Sequence, residues 1–108
     1  MEQIIVAKTS EIPVGEMKKF TLQGQEVLVA NVAGNFYALG ARCTHKNGDL
    51  SRGTLEGNVV TCPNHGAQFD VTTGKVVSPP KVGPFHPKIQ DKQTYQVKVE
   101  NQDILVQL

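Results

Sequence analysis

With 108 residues, 39% of them apolar, and a formal net charge of +1, the chain has the material for one hydrophobic core and no room for a separate catalytic domain. Near-neutral charge without a dense block of one sign argues against wholesale binding to nucleic acid or an anionic membrane. Two cysteines cannot build a disulfide framework, so in a reducing compartment they are better read as ligands or nucleophiles.

The first apolar run, Ile4 to Ala7, is four residues long and flanked by charge. That is too short for a signal peptide or a membrane span, and no later segment is a better candidate. A soluble, cytoplasmic chain with no membrane partner is expected. The stretch from Ser10 to Phe20 has room for one helical turn after Ser10. Val27 to Val32 and Phe36 to Leu39 are short, β-branched or aromatic runs, and Ala33-Gly34-Asn35 between them suits a hairpin turn. Val59 to Cys62, after Gly57-Asn58, and Gln68 to Val77, around Thr73-Gly74, resemble two further strand-turn units. Four prolines (Pro79, Pro80, Pro84 and Pro87) forbid a regular central strand between Ser78 and Lys88, which is expected to be a rigid loop. Tyr95, Val97 and Val99 alternate with Gln96, Lys98 and Glu100, and after Asn101-Gln102-Asp103 the run Ile104 to Leu108 closes a C-terminal hairpin. No window of helical length carries a 3.6-residue period. The expected fold is all-β, a small antiparallel sandwich or partial barrel forming one domain over residues 1–108.

Chemistry concentrates in two places. Cys43 and His45 are separated by one residue, Cys62 and His65 by two, and sixteen residues lie between the pairs. A lone buried cysteine is more often a small hydrophobe, and a lone histidine a surface group. Both cysteines, each beside a histidine, with Gly48 or Gly66 soon after, point instead to a metal site with four protein ligands. Ligand type alone leaves zinc open. His86, inside the proline-rich segment, lacks such company and reads as a loop side chain. Arg42, Lys46 and Arg52 cluster around the first pair; solvated surface charge is the simpler reading, docking of an acidic partner the other.

The pattern Cys-Thr-His followed by Cys-Pro-Asn-His-Gly resembles the Rieske [2Fe–2S] motif, in which two histidines replace two cysteines on one iron. The similarity extends over Gly34–His45, Gly48–Pro63, His65–Val76 and Tyr95–Val99, while Lys81–Gln93 looks longer than in many bacterial relatives. It implies one cluster per chain, bound by a part spanning about residues 41–81. Cys43 and Cys62 would hold one iron, and His45 and His65 the outer one. It also implies that Gly48 and Gly66 admit backbone N–H groups toward the sulfides, and that Pro79 and Pro80 belong to a third, shielding loop. High-potential relatives carry a disulfide at the positions of Gly48 and Asn64, and Ser and Tyr hydroxyls at those of Ala67 and Phe69. Without those sulfur-directed donors the potential is expected at the low end of the Rieske range, about −150 to +300 mV.

The resemblance thus implies a monomeric ferredoxin, an electron carrier and not an enzyme. It would take electrons from a reductase, such as a flavoprotein, and deliver them to a terminal oxygenase or another redox enzyme. Two alternatives stand beside it: the small Rieske-like subunit of a stable complex such as nitrite reductase, and a zinc-stabilised binding module.

Overall fold

The computed structural model describes residues 3–42, 49–63, 66–80 and 89–108. Ten strands make up the fold: β1 (Gln3–Lys8), β2 (Met17–Leu22), β3 (Gln25–Val32), β4 (Asn35–Gly40), β5 (Thr54–Glu56), β6 (Val59–Thr61), β7 (Gln68–Asp70), β8 (Val76–Ser78), β9 (Thr94–Glu100) and β10 (Asp103–Gln107). Short 3-10 turns occupy Thr9–Glu11 and Leu50–Arg52, and no α-helix occurs among the described residues. No helix among them is long and apolar enough to cross a membrane.

The strands form a nearly closed six-stranded sheet in the order β1-β10-β9-β4-β3-β2 and a four-stranded sheet in the order β5-β6-β7-β8. Pairing is antiparallel throughout. Three two-residue turns link neighbours in the large sheet: Gln23-Gly24, Ala33-Gly34 and Asn101-Gln102. Both residues of each turn have positive φ, for example 54° at Ala33 and 92° at Gly34. This turn type matches the right-handed twist of the strands it joins, which is why it closes tight hairpins.

Strand β3 explains how the two sheets share one body. Its sequence does not alternate, because both of its faces are covered. Val27 and Val29 point into the large sheet's interior with Ala7, Ile12, Leu22, Ala38, Ile104 and Val106. Leu28 and Ala30 point the other way and join Leu39, Ala41, Leu50, Val60, Cys62, Ala67, Phe69 and Val71. The β3–β4 hairpin is therefore a wall between two apolar cores, and the second core contains Ala41, Leu50, Cys62 and Ala67, from which both cysteine–histidine segments leave and return. Full burial of side chains the size of Leu28, Leu39 and Phe69 contributes about 1.5–3 kcal/mol each. Asn31 is the one buried polar side chain noted in this wall. Its amide donates to the Ile12 carbonyl at 2.8 Å and accepts from the Gly34 N–H at 2.9 Å, so its burial is compensated.

The expected strands and hairpins are present, and the single turn near Ser10 is the 3-10 turn. Three strands had no clear signal: β1, β2 and β5. Val99, on the apolar face of β9 with Tyr95 and Val97, is 47% exposed. The alternation is right, since Val99 pairs with buried Ile104. Strand β4 pairs with β9 at Tyr95 and Thr94, and Val99 lies beyond that pairing. Of the proline-rich segment, residues 81–88, including His86, lie outside the described residues; Pro80 is fully buried and Pro79 half-buried beyond β8.

Candidate metal centre

Of the four ligand candidates, Cys62 is described; Cys43, His45 and His65 lie outside the described residues, as do Lys46, Gly48 and Asn64. The segments that carry them are anchored at both ends. The first leaves β4 through Ala41 and Arg42 and returns through Asp49 and Leu50. The Leu50 N–H donates to the Ala41 carbonyl at 2.9 Å, and Arg42 and Asp49 form an isolated antiparallel bridge. The second segment leaves β6 at Cys62 and returns at Ala67. The Cys62 N–H donates to the Ala67 carbonyl at 2.7 Å, and the Gly66 N–H donates to the Cys62 carbonyl at 3.2 Å. Gly66 has φ of 76° and open space around the position of a Cβ, so it serves first as a turn glycine.

Both bases stand on the same apolar cluster. Ala41 and Leu50 flank the first, Cys62, Ala67 and Phe69 the second, and all five are buried in one group. Cys62 is unbridged and 2% exposed. A buried thiol at a loop base, beside apolar Ala67 and Phe69, offers a soft sulfur ligand in a site shielded from water. This donor environment fits an iron–sulfur cluster.

An acidic turn reinforces each base, and neither was evident from the sequence. At the first, Asp49 accepts from the Ser51 N–H at 3.0 Å, the Ser51 hydroxyl at 2.6 Å and the Lys19 ammonium at 2.8 Å. Burial pushes the Asp49 carboxyl up, but the Lys19 and Ser51 hydrogen bonds outweigh it and hold the group at about 2. Beyond the second, Asp70 accepts from the Thr72 N–H at 2.9 Å and the Thr72 hydroxyl at 2.6 Å. Burial again opposes ionisation, and the Thr72 bonds with further donors lower the Asp70 carboxyl on balance. The sequence signal is an acid two residues before a hydroxyl, a common turn device that gains weight only once its loop is known to be functional.

Gly53 was missed as well. A Cβ at Gly53 would lie 1.8 Å from the Thr61 carbonyl oxygen, one residue before Cys62. The chain leaving the first segment thus passes against the strand entering the second, and only glycine permits that approach. Among the nearby cations, Arg42 is bound to Glu26 at 2.5 and 3.1 Å. Arg52 is 83% exposed and 3.8 Å from Asp49.

A family model described as the Rieske [2Fe-2S] domain matches residues 2–103. The chain is 37% identical over 98 residues to the ferredoxin component of a naphthalene 1,2-dioxygenase system of Pseudomonas aeruginosa, covering 91% of this chain and 88% of that protein. It is 39% identical over 97 residues to the biphenyl dioxygenase ferredoxin subunit of Pseudomonas sp. (strain KKS102), covering 89% and 83% respectively. In structure it matches a chain from the complex of reduced oxygenase and oxidized ferredoxin in carbazole 1,9a-dioxygenase. The TM-score is 0.85 at 30% identity, over 96% of this chain and 91% of that one.

Two substitutions test how the loop bases are held. Gly53→Ala must push β5 away from Thr61, and a loss of about 3 kcal/mol or more in urea unfolding is expected, with reduced iron content in the purified protein. The Asp49 carboxyl lies below its ordinary value of 3.8, so its stabilising contribution is complete above pH ~4 and is lost as the pH falls through about 2. Asp49→Asn should therefore cost on the order of 1–2 kcal/mol at pH 7, allowing for the partial exposure of Lys19. The gap between native and variant should close between pH ~4 and ~2; a gap independent of pH would refute this account of Asp49.

Proposed function

The chain belongs to the Rieske [2Fe–2S] domain family, and on that premise we propose that it is a soluble carrier of single electrons from a reductase to a terminal oxygenase. The observation that carries this reading is the pairing of two ligand-bearing segments over one apolar cluster, with a buried, unbridged Cys62 at the base of the second. Cys43 and Cys62 would hold one iron of the cluster, and His45 and His65 the other. When bound, the cluster supplies a one-electron couple whose imidazole ligands favour reduction relative to an all-thiolate site.

The protein's own residues set the conditions for that couple. Backbone bonds at Ala41–Leu50 and Cys62–Ala67 hold the two segments in fixed register. Leu28, Leu39 and Phe69 keep water from the inner side of the site. Ala67 and Phe69 offer no side-chain donor to sulfur, which supports a potential at the low end of the family range. Pro79 and Pro80 follow β8 beside β7 and serve as the start of a shielding loop. Residues 1–108 form one domain, with residues 41–81 holding the cluster, and the carrier is monomeric. A reducing compartment, the cytoplasm, keeps the cysteine ligands as free thiolates. Relatives named for naphthalene and biphenyl systems differ in the oxygenase they serve, in keeping with a carrier that never meets the aromatic substrate. The reductase is expected to be a flavoprotein.

Electron paramagnetic resonance of the reduced protein with a redox titration tests the proposal. A [2Fe–2S] signal with mixed histidine and cysteine ligation is expected, near the low end of about −150 to +300 mV. A colourless protein with stoichiometric zinc would overturn it. The double variant Ala67→Ser/Phe69→Tyr should raise the potential, on the order of tens of millivolts, because new hydroxyls aimed at sulfur stabilise the reduced state. An unchanged or lower value would remove Ala67 and Phe69 as its determinants.

A further inference from the structure

The segment that leads into β9 is fastened to both sides of the site. Ile89 packs against the apolar cluster beneath the loops. The Asp91 carboxylate accepts from the Val76 N–H at 2.9 Å, at the start of β8. The Lys92 N–H donates to the Gly74 carbonyl at 2.6 Å, and the Gln93 carbonyl accepts from the Gly40 N–H at 3.0 Å. The Lys92 backbone is thus wedged between the β7–β8 turn and the end of β4. A Cβ at Gly74 would lie 2.3 Å from the Lys92 carbonyl oxygen, so this approach too depends on a glycine. From that anchor the Lys92 side chain crosses Gly40, where a Cβ would lie 3.1 Å from its ammonium, and donates to the Arg42 carbonyl.

We propose that Lys92 is a positioning residue for the first ligand segment, and that its charge strengthens the hold of the centre on an electron. The inference rests on the Rieske reading above and assigns Lys92 a part in it. The Arg42 carbonyl and the Cys43 N–H belong to one planar peptide, so fixing the oxygen fixes the direction in which the chain enters Cys43. The ammonium also places a positive charge beside a centre that becomes more negative on reduction, which favours the reduced form. Glu26 lines the same groove, but its carboxylate is engaged by Arg42 at 2.5 and 3.1 Å and lies 3.8 Å from Lys19. That acid is thus already shared between two other cations.

Three variants of the cluster-loaded protein separate geometry from charge: Lys92→Gln keeps a neutral donor, Lys92→Met removes donor and charge, and Lys92→Arg keeps both. Against a one-electron mediator dye at low salt, Lys92→Gln should shift the equilibrium about threefold toward the oxidised carrier, a potential roughly 30 mV lower. The shift should shrink as salt is added, and Lys92→Arg should keep the native potential. Lys92→Met should show the same shift and lose iron faster to a chelator. Should it fail to assemble, the Gln and Arg pair still decides. A Gln variant with the native potential, or an Arg variant displaced as far as Gln, overturns the role given to Lys92 alone. A native protein lacking the [2Fe–2S] resonance signal overturns the functional reading and this inference with it.

Discussion

Burial of β3 on both faces is the constraint on which the rest of the architecture depends. Most strands of a small antiparallel sheet can spend one face on water, but Val27 to Ala30 are all fully buried. One face closes the large sheet on itself, and the other gives the small sheet something to pack on. Neither the small sheet nor the two ligand segments could be ordered alone, since three-residue strands bury too little to offset the entropy of fixing them. The wall built by β3 and β4 supplies the missing surface. It also delivers the chain, through Ala41, directly into the first segment. The large sheet thus provides the surface on which the bases of both segments stand.

The parts of this arrangement that were legible in the sequence share a physical reason. Metal ligation draws on few residue types, so two Cys/His pairs among two cysteines and three histidines carry a strong signal. The β-branched run at Val27 and the Tyr95–Val99 alternation were legible as strands because composition and a period of two are local signals; the burial of β3 on both faces was not. Strand β1 was not legible because its partner is β10, some hundred residues away, and only that pairing gives its short apolar run an inside and an outside. Strand β2 hides behind Lys18 and Lys19, although Lys19 reaches back to Asp49. Asp49, Gly53 and Lys92, and the close approach at the turn glycine Gly74, were invisible for another reason. Each acts through a backbone atom or a partner remote in sequence, and lysine, aspartate and glycine are ordinary surface residues until the fold brings those partners close.

Those hidden residues have a common logic. A carrier that gains and loses one electron works best when its ligands need not move between the two states, so the shell around them must be fixed beforehand. Here the fixing is done by contacts that leave little slack: backbone bonds across each loop base, two acidic turns saturated by hydroxyl and amide donors, and glycines where chains pass too closely for a side chain. Exposed ion pairs could not do this, because salt screens them and long side chains let them wander. The charges near the first segment accordingly fall into two groups. Arg42 and Glu26 neutralise each other at the surface, whereas Asp49 is half-buried and tied by three hydrogen bonds from Lys19 and Ser51. The half-buried acid anchors the loop, while Arg52 stays 83% exposed and only 3.8 Å from it. Rigidity beneath the site thus comes from hydrogen-bonded turns and close backbone contacts, and not from the exposed charges around it.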